Sequence, residues 1–94
     1  MADKEQVERL KQGSEVWDQW RADNPGVTPD LSGANLSEQK LAQRNLSGAN
    51  LHGAIFGGTN LMGADLSEAN LTKANFHWAN LTKANLREAN LIHG

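Results

Sequence analysis

The sequence predicts an all-β solenoid over residues 29–94, closed at one end by an N-terminal α-helix over residues 1–24. Three observations predict it. A large apolar residue recurs at every fifth position from Leu31 to Leu91. A small residue, mostly alanine, stands two places before most of these. Ahead of the repeats, an amphipathic stretch stops at Asn24-Pro25-Gly26.

The helical segment runs from about Asp3 to Ala22. Val7, Leu10, Trp17 and Trp20 fall on one stripe, with Val16 at its margin, while Lys4, Glu8, Lys11, Glu15 and Asp18 cover the remainder. Asp3 suits the N-cap. Gly13 weakens the middle by up to about 1 kcal/mol relative to alanine, which marks it as the place for a break. Asn24-Pro25 ends the helix, because proline disfavours α geometry in the residue before it. Residues 25–28 form a linker, and Leu10, Trp17 and Trp20 are expected to form the cap on the first coil.

In the repeats, Leu31, Leu36, Leu41, Leu46, Leu51, Phe56, Leu61, Leu66, Leu71, Phe76, Leu81, Leu86 and Leu91 keep the period without a miss. A period of five fits neither the helix at about 3.6 nor the strand at about 2.0. On an α-helix, residues five apart are rotated by about 140°, which would scatter the leucines around the cylinder. A chain that turns a corner every five residues gathers them inside. The preceding small residue (Ala49, Ala54, Thr59, Ala64, Ala69) then also points inward, and the intervening Asn and the two residues after the leucine point out.

Units such as Ala69-Asn70-Leu71-Thr72-Lys73 and Ala84-Asn85-Leu86-Arg87-Glu88 resemble the pentapeptide-repeat family over about two thirds of the chain. The resemblance implies a right-handed quadrilateral β-helix of about three coils, in which residues twenty apart stack. Phe56 and Phe76 support that register independently, since they would lie ring on ring, a contact worth ~0.5–1.5 kcal/mol beyond area. At a strand-like ~4.8 Å per layer the rod is about 15 Å long. The expected core is Leu51, Phe56, Leu61, Leu66, Leu71, Phe76 and Leu81. The segment from Leu10 through Trp17-Asp18-Gln19-Trp20-Arg21 to Ala34 is also similar to the openings of bacterial, especially cyanobacterial, members, some of which carry a signalling or effector domain after the repeats.

Pro29, Gln39 and Arg44 occupy inward small-residue positions. A buried unpaired arginine would cost several kcal/mol, so these side chains are expected to turn toward solvent or toward the helix. Ile55 replaces an outward Asn and places an apolar group near His77 and Trp78. The stacked residues Asn50, Asn70 and Asn90, and Asn60 and Asn80, are expected to hydrogen-bond from layer to layer.

Composition excludes several classes. The net charge is −2, with six acids against four bases in residues 1–28 and five against five afterwards, so the chain is expected to be neither a nucleic-acid binder nor a strong acidic mimic. Without cysteine there are no disulfides or thiolate metal sites. The charged N-terminus lacks the apolar stretch of a secretory signal, and no run approaches the roughly 20 apolar residues of a membrane span. The expected location is the cytoplasm, with no membrane partner. His52, His77 and His93 fall on different faces or layers, so no metal site or cofactor is expected. Ser32, Ser37, Ser47, Ser67, Thr72 and Thr82 suit tight corners, and Gly48, Gly53, Gly58 and Gly63 follow the same period. No enzyme activity is expected.

Two surfaces remain. Ile55, His77 and Trp78 form a candidate protein-binding patch, with His77 and Trp78 in register over Gly57 and Gly58. The expected arrangement folds the pair onto the bare glycine layer; standing out, it is an aromatic anchor. The second surface is the uncapped last coil, where Leu86, Leu91 and Ile92 are candidates for end-to-end assembly of a homo-oligomer, the other expectation being that the natural chain continues there as the N-terminal module of a larger signalling protein. The expected function is a non-enzymatic protein-interaction or assembly scaffold. The alternative is a DNA mimic acting on a type II topoisomerase. A mimic must match one charge per ~1.7 Å of duplex, which neutral repeats on a short rod do not.

Overall fold

The computed structural model describes residues 2–92; Met1, His93 and Gly94 lie outside the described residues. The backbone winds with a period of twenty. Parallel bridges join Asp30 to Asn50, Asn50 to Asn70 and Asn70 to Asn90, and equivalent columns start at Asn35, Lys40 and Asn45. Residues 30–49, 50–69 and 70–89 form three coils of four five-residue sides, and residues 90–92 begin a fourth. Each bridge is a single residue wide, so among the described residues the solenoid contains no extended strand. The corner arrives too soon for one.

The corners are turns closed by the small residue, whose N–H donates to the carbonyl of the leucine three places earlier, as in Ala64 to Leu61 (3.0 Å). The second residue after the leucine has positive φ at every corner from Gly33 (69°) to Glu88 (59°). A single positive φ at that place is the type II pattern, which favours glycine there. The outward Asn stabilises the same corner, with Asn80 Oδ1 accepting from the Thr82 N–H at 3.0 Å and Asn85 Oδ1 from Arg87 at 3.0 Å. This corrects the expected ladder. Asn70 Nδ2 does reach Asn50 Oδ1, but only at 3.4 Å, and the recurrent bond is local to each unit.

Between coils, each unit sends two N–H groups forward and one back. Leu61 and Gly63 donate to Asn80 and Thr82 of the following coil, at 2.8 and 2.9 Å, and Asn60 donates to Gln39 of the preceding one at 3.0 Å. Leu31, Leu36, Leu46, Leu51, Phe56, Leu61, Leu66 and Leu71 fill the interior without exposure. Phe56 and Phe76 stack with centroids 5.0 Å apart and planes 2° from parallel. Thr59, inward among alanines, satisfies its hydroxyl by donating to the Leu36 carbonyl at 2.6 Å. Phe76 and Leu81 are only partly buried, contrary to expectation, because among the described residues no layer covers them from above.

The N-terminal segment is two helices rather than one, α1 (Lys4–Lys11) and α2 (Ser14–Asp23). Asp3 caps α1 through its carboxylate, and Gly13, at φ 122°, breaks the chain where the sequence is weakest. Leu10 and Trp17 are fully buried against the first coil; Trp20 is half-buried, tilted on Trp17 at 5.3 Å and covered by the Arg9 guanidinium at 5.4 Å. The cap also meets the polar edge of that coil. Trp17 Nε1 donates to the Asn45 carbonyl at 2.7 Å, and Arg21 donates to Asn45 at 3.1 Å and to Ser47 at 2.8 Å. The Asp3 N–H donates to Asp30 at 2.9 Å, and Gln6 Oε1 accepts from the Asp30 N–H at 2.6 Å.

Arg44 does turn toward the helix, yet it is 6% exposed. Its Nη atoms donate to the last-turn carbonyl of Leu10 and to Lys40, the latter at 3.2 Å. Burial pulls this guanidinium below its ordinary pKa, and Asp18 partly restores it. Pro29 is buried beneath the cap, and Gln39 is half-buried with its amide 3.5 Å from the Ser37 carbonyl.

Candidate functional site

The corner after Phe76 carries the most exposed large apolar side chain described. Trp78 is 84% exposed and sits at φ 64°, a backbone conformation that glycine holds in the coil below at Gly58. The pair does not fold onto the glycine layer. The His77 ring meets Trp78 edge-on, with centroids 5.2 Å apart and planes at 81°. On the side of Gly58 away from Trp78, the Glu38 side chain of the preceding coil comes close, with its Cγ 3.3 Å from the position of an added Cβ. Below, Gly58 and Gly57 are bare, and Ile55 stands 39% exposed at the edge of the same face, bridged to Asn75. The structure therefore brings Ile55, His77 and Trp78 onto one side, presented by corners whose backbone is fixed from beneath: the Gly58 N–H donates to the His77 carbonyl at 2.9 Å.

The second surface is the end of the described solenoid. Leu86 is half-buried, and Leu91 and Ile92 are 44% and 64% exposed. Sequence reasoning missed Met62, exposed at the position after Leu61, because nothing in the spacing distinguishes an apolar side chain there from a polar one.

The polar side chains have local duties. The hydroxyls of Ser47, Ser67 and Thr72 donate to Asn45, Asp65 and Asn70 two residues earlier, at 2.6, 2.6 and 2.8 Å. Ser32, expected to point out, is buried; its hydroxyl and N–H both donate to Asp30 and hold that carboxyl below the usual range. His52 pairs through Nδ1 with the Thr72 hydroxyl one coil away. Among the described residues no three His, Cys, Asp or Glu side chains could hold a metal ion, and no helix is long and apolar enough to cross a membrane.

The family model for pentapeptide repeats (8 copies) matches residues 30–67 and 59–93. A solved structure of a pentapeptide repeat protein from the thylakoid lumen of Arabidopsis thaliana is 44% identical over 66% of this chain and 50% of its own, with a TM-score of 0.35. This chain thus spans about half the length of that relative. No curated protein sequence matches it. With the family model covering the periodic segment almost end to end, this chain belongs to the pentapeptide-repeat family.

Proposed function

We propose that this chain is a non-enzymatic scaffold that binds another protein through the face bearing Ile55, His77 and Trp78. The observation that carries the reading is Trp78. Its indole is exposed to water on a corner that costs a non-glycine residue on the order of 1 kcal/mol, while Gly58 holds the same place one coil below. Tryptophan on a rigid surface is the residue type that dominates interface hot spots, because it brings large area with few rotatable bonds. The scaffold beneath is fixed by coil-to-coil hydrogen bonds on every side, so little order is lost on docking.

The test is affinity capture with the wild-type chain, Trp78→Ala and Thr82→Ala as bait, each first shown to melt with the wild type. The expected result is a partner retained by wild type and Thr82→Ala and lost with Trp78→Ala. Equal capture by all three would remove the face from consideration.

A further inference from the structure

The corner that carries Trp78 is three layers deep, and its layers differ. Glu38, Gly58 and Trp78 occupy the same place in successive coils, each at positive φ (58°, 69° and 64°). They are tied together by the Glu38 N–H, which donates to the Gly57 carbonyl at 2.8 Å, and the Gly58 N–H, which donates to His77 at 2.9 Å. At ~4.8 Å per layer, the Glu38 and Trp78 backbones stand about 10 Å apart with a bare glycine between them. The Glu38 side chain leans into the lower half of that gap, its Cγ 3.3 Å from where a Gly58 Cβ would be. Apart from the chain neighbours of Gly58, nothing else among the described residues comes within 4 Å of that point, so the half toward Trp78 is open. The gap lies between coils, not at an end of the rod.

The two walls of the gap are an aromatic face and a carboxylate. Trp78 is 84% exposed and meets only the His77 ring, at 81°, which leaves an indole face uncovered. Glu38 is exposed and makes no ion pair among the described residues, although Lys11 and Lys40 line a depression with it. Residues 50–69, the layer between the walls, hold no lysine or arginine. The N-terminal cap shows what such walls hold. There the Arg9 guanidinium lies 5.4 Å from the Trp20 ring centre while its Nη2 reaches the Glu5 carboxylate at 3.6 Å. At the Trp78 corner the chain supplies the indole and the carboxylate alone. The neighbouring corner repeats the backbone with opposite chemistry: Gln43 Cγ comes 3.2 Å from the Cβ position of Gly63, and Lys83 stands in the place of Trp78.

We infer that this corner takes an arginine side chain of the partner protein. The guanidinium stacks on the indole and donates to the Glu38 carboxylate, with its aliphatic stem along Ile55. Both contacts select a cation. An acidic side chain would meet Glu38 as a like charge, and an apolar one would make use of Trp78 alone. Arginine suits the gap better than lysine, because one flat group lies on a ring and presents its N–H edge to a carboxylate at once. The inference rests on the reading of the Trp78 face as protein-binding and adds the residue type that the partner brings to it.

The experiment is a titration of the uniformly ¹⁵N-labelled full chain with a short synthetic peptide alternating Arg and Ser, beside counterparts alternating Glu and Ser, and Leu and Ser. The expected result is saturable shifts of the Trp78 indole N–H and the Gly58 and Glu38 amides with the Arg peptide alone, the Gly63 and Lys83 amides of the neighbouring corner staying in place. Glu38→Gln, which keeps the shape of the side chain, should weaken that binding about fivefold. Equal shifts with the Arg and Glu peptides, binding unchanged by Glu38→Gln, or no shifts at this corner would overturn the inference. Shifts of the Trp78 indole with the Leu peptide instead would also overturn it, and would leave the face an apolar anchor. The two readings fail separately. Capture that depends on Trp78, with an Arg peptide that ignores the corner, sinks the arginine and spares the face. Capture indifferent to Trp78, with the Arg peptide bound at the corner, does the reverse.

Discussion

Residues 50–69 and residues 70–89 are built from the same five-residue unit and hold the same corner backbone, yet among the described residues the former is covered on both sides and the latter on one. The Phe56 and Leu61 side chains are unexposed, while their partners Phe76 and Leu81, twenty residues on, are only partly covered. The corners differ as well: Gly53, Gly58 and Gly63 in the middle coil give way to Lys73, Trp78 and Lys83, at φ between 59° and 64°. The backbone therefore imposes the left-handed corner whether or not the residue suits it. What varies from coil to coil is burial and side-chain chemistry.

This comparison can be broken at its strongest point first. Leu66→Ala, in the closed coil, should cost ~2–5 kcal/mol, as core leucines do, and Leu86→Ala in the open coil less than half as much. Urea unfolding of both variants reads the difference, and equal losses would sink the layered account. Next comes the buried tether: Arg44→Ala leaves the Leu10 and Lys40 carbonyls without their donor and should cost ~1–3 kcal/mol.

The corners supply the smaller effects, of opposite sign. Gly63→Ala, at φ 68° with Gln43 Cγ 3.2 Å from the new Cβ, should destabilise by ~1–2 kcal/mol. Lys83→Gly should raise the melting temperature, by an amount corresponding to up to about 1 kcal/mol. If both substitutions moved stability the same way, corner geometry would not be what separates the coils. The outward Thr72→Ala, last in size, should stay within about 0.5 kcal/mol by the same measurement.

The leucine period and the phenylalanine pair made the solenoid and its twenty-residue register legible, because both follow from side chains that must share one interior. Single side chains with two competing uses were harder. The Asn residues looked like a ladder, but a carbonyl oxygen two residues from an N–H satisfies it locally, without depending on the next coil. Arg44 was expected to turn toward solvent or toward the helix; it takes the second course and is buried in doing so, an arrangement available only once the Leu10 carbonyl is placed beside it. Trp78 was expected to fill the glycine layer; the corner backbone points it away, and spacing carries no information on that direction. The direction of the inter-coil hydrogen bonds, two N–H groups forward and one back from each unit, was hidden as well, since donor direction belongs to the backbone and not to any residue type.

The twenty-residue bridge register has a consequence for how the rod assembles. Every bond between coils closes a loop of about the same length, so the entropy of adding a coil does not grow with the number already formed. Folding is then a matter of repeated identical increments, each stabilised only by its neighbour. A longer rod would gain stability in equal steps, and its unwinding would start where a coil has one neighbour and proceed toward the helices.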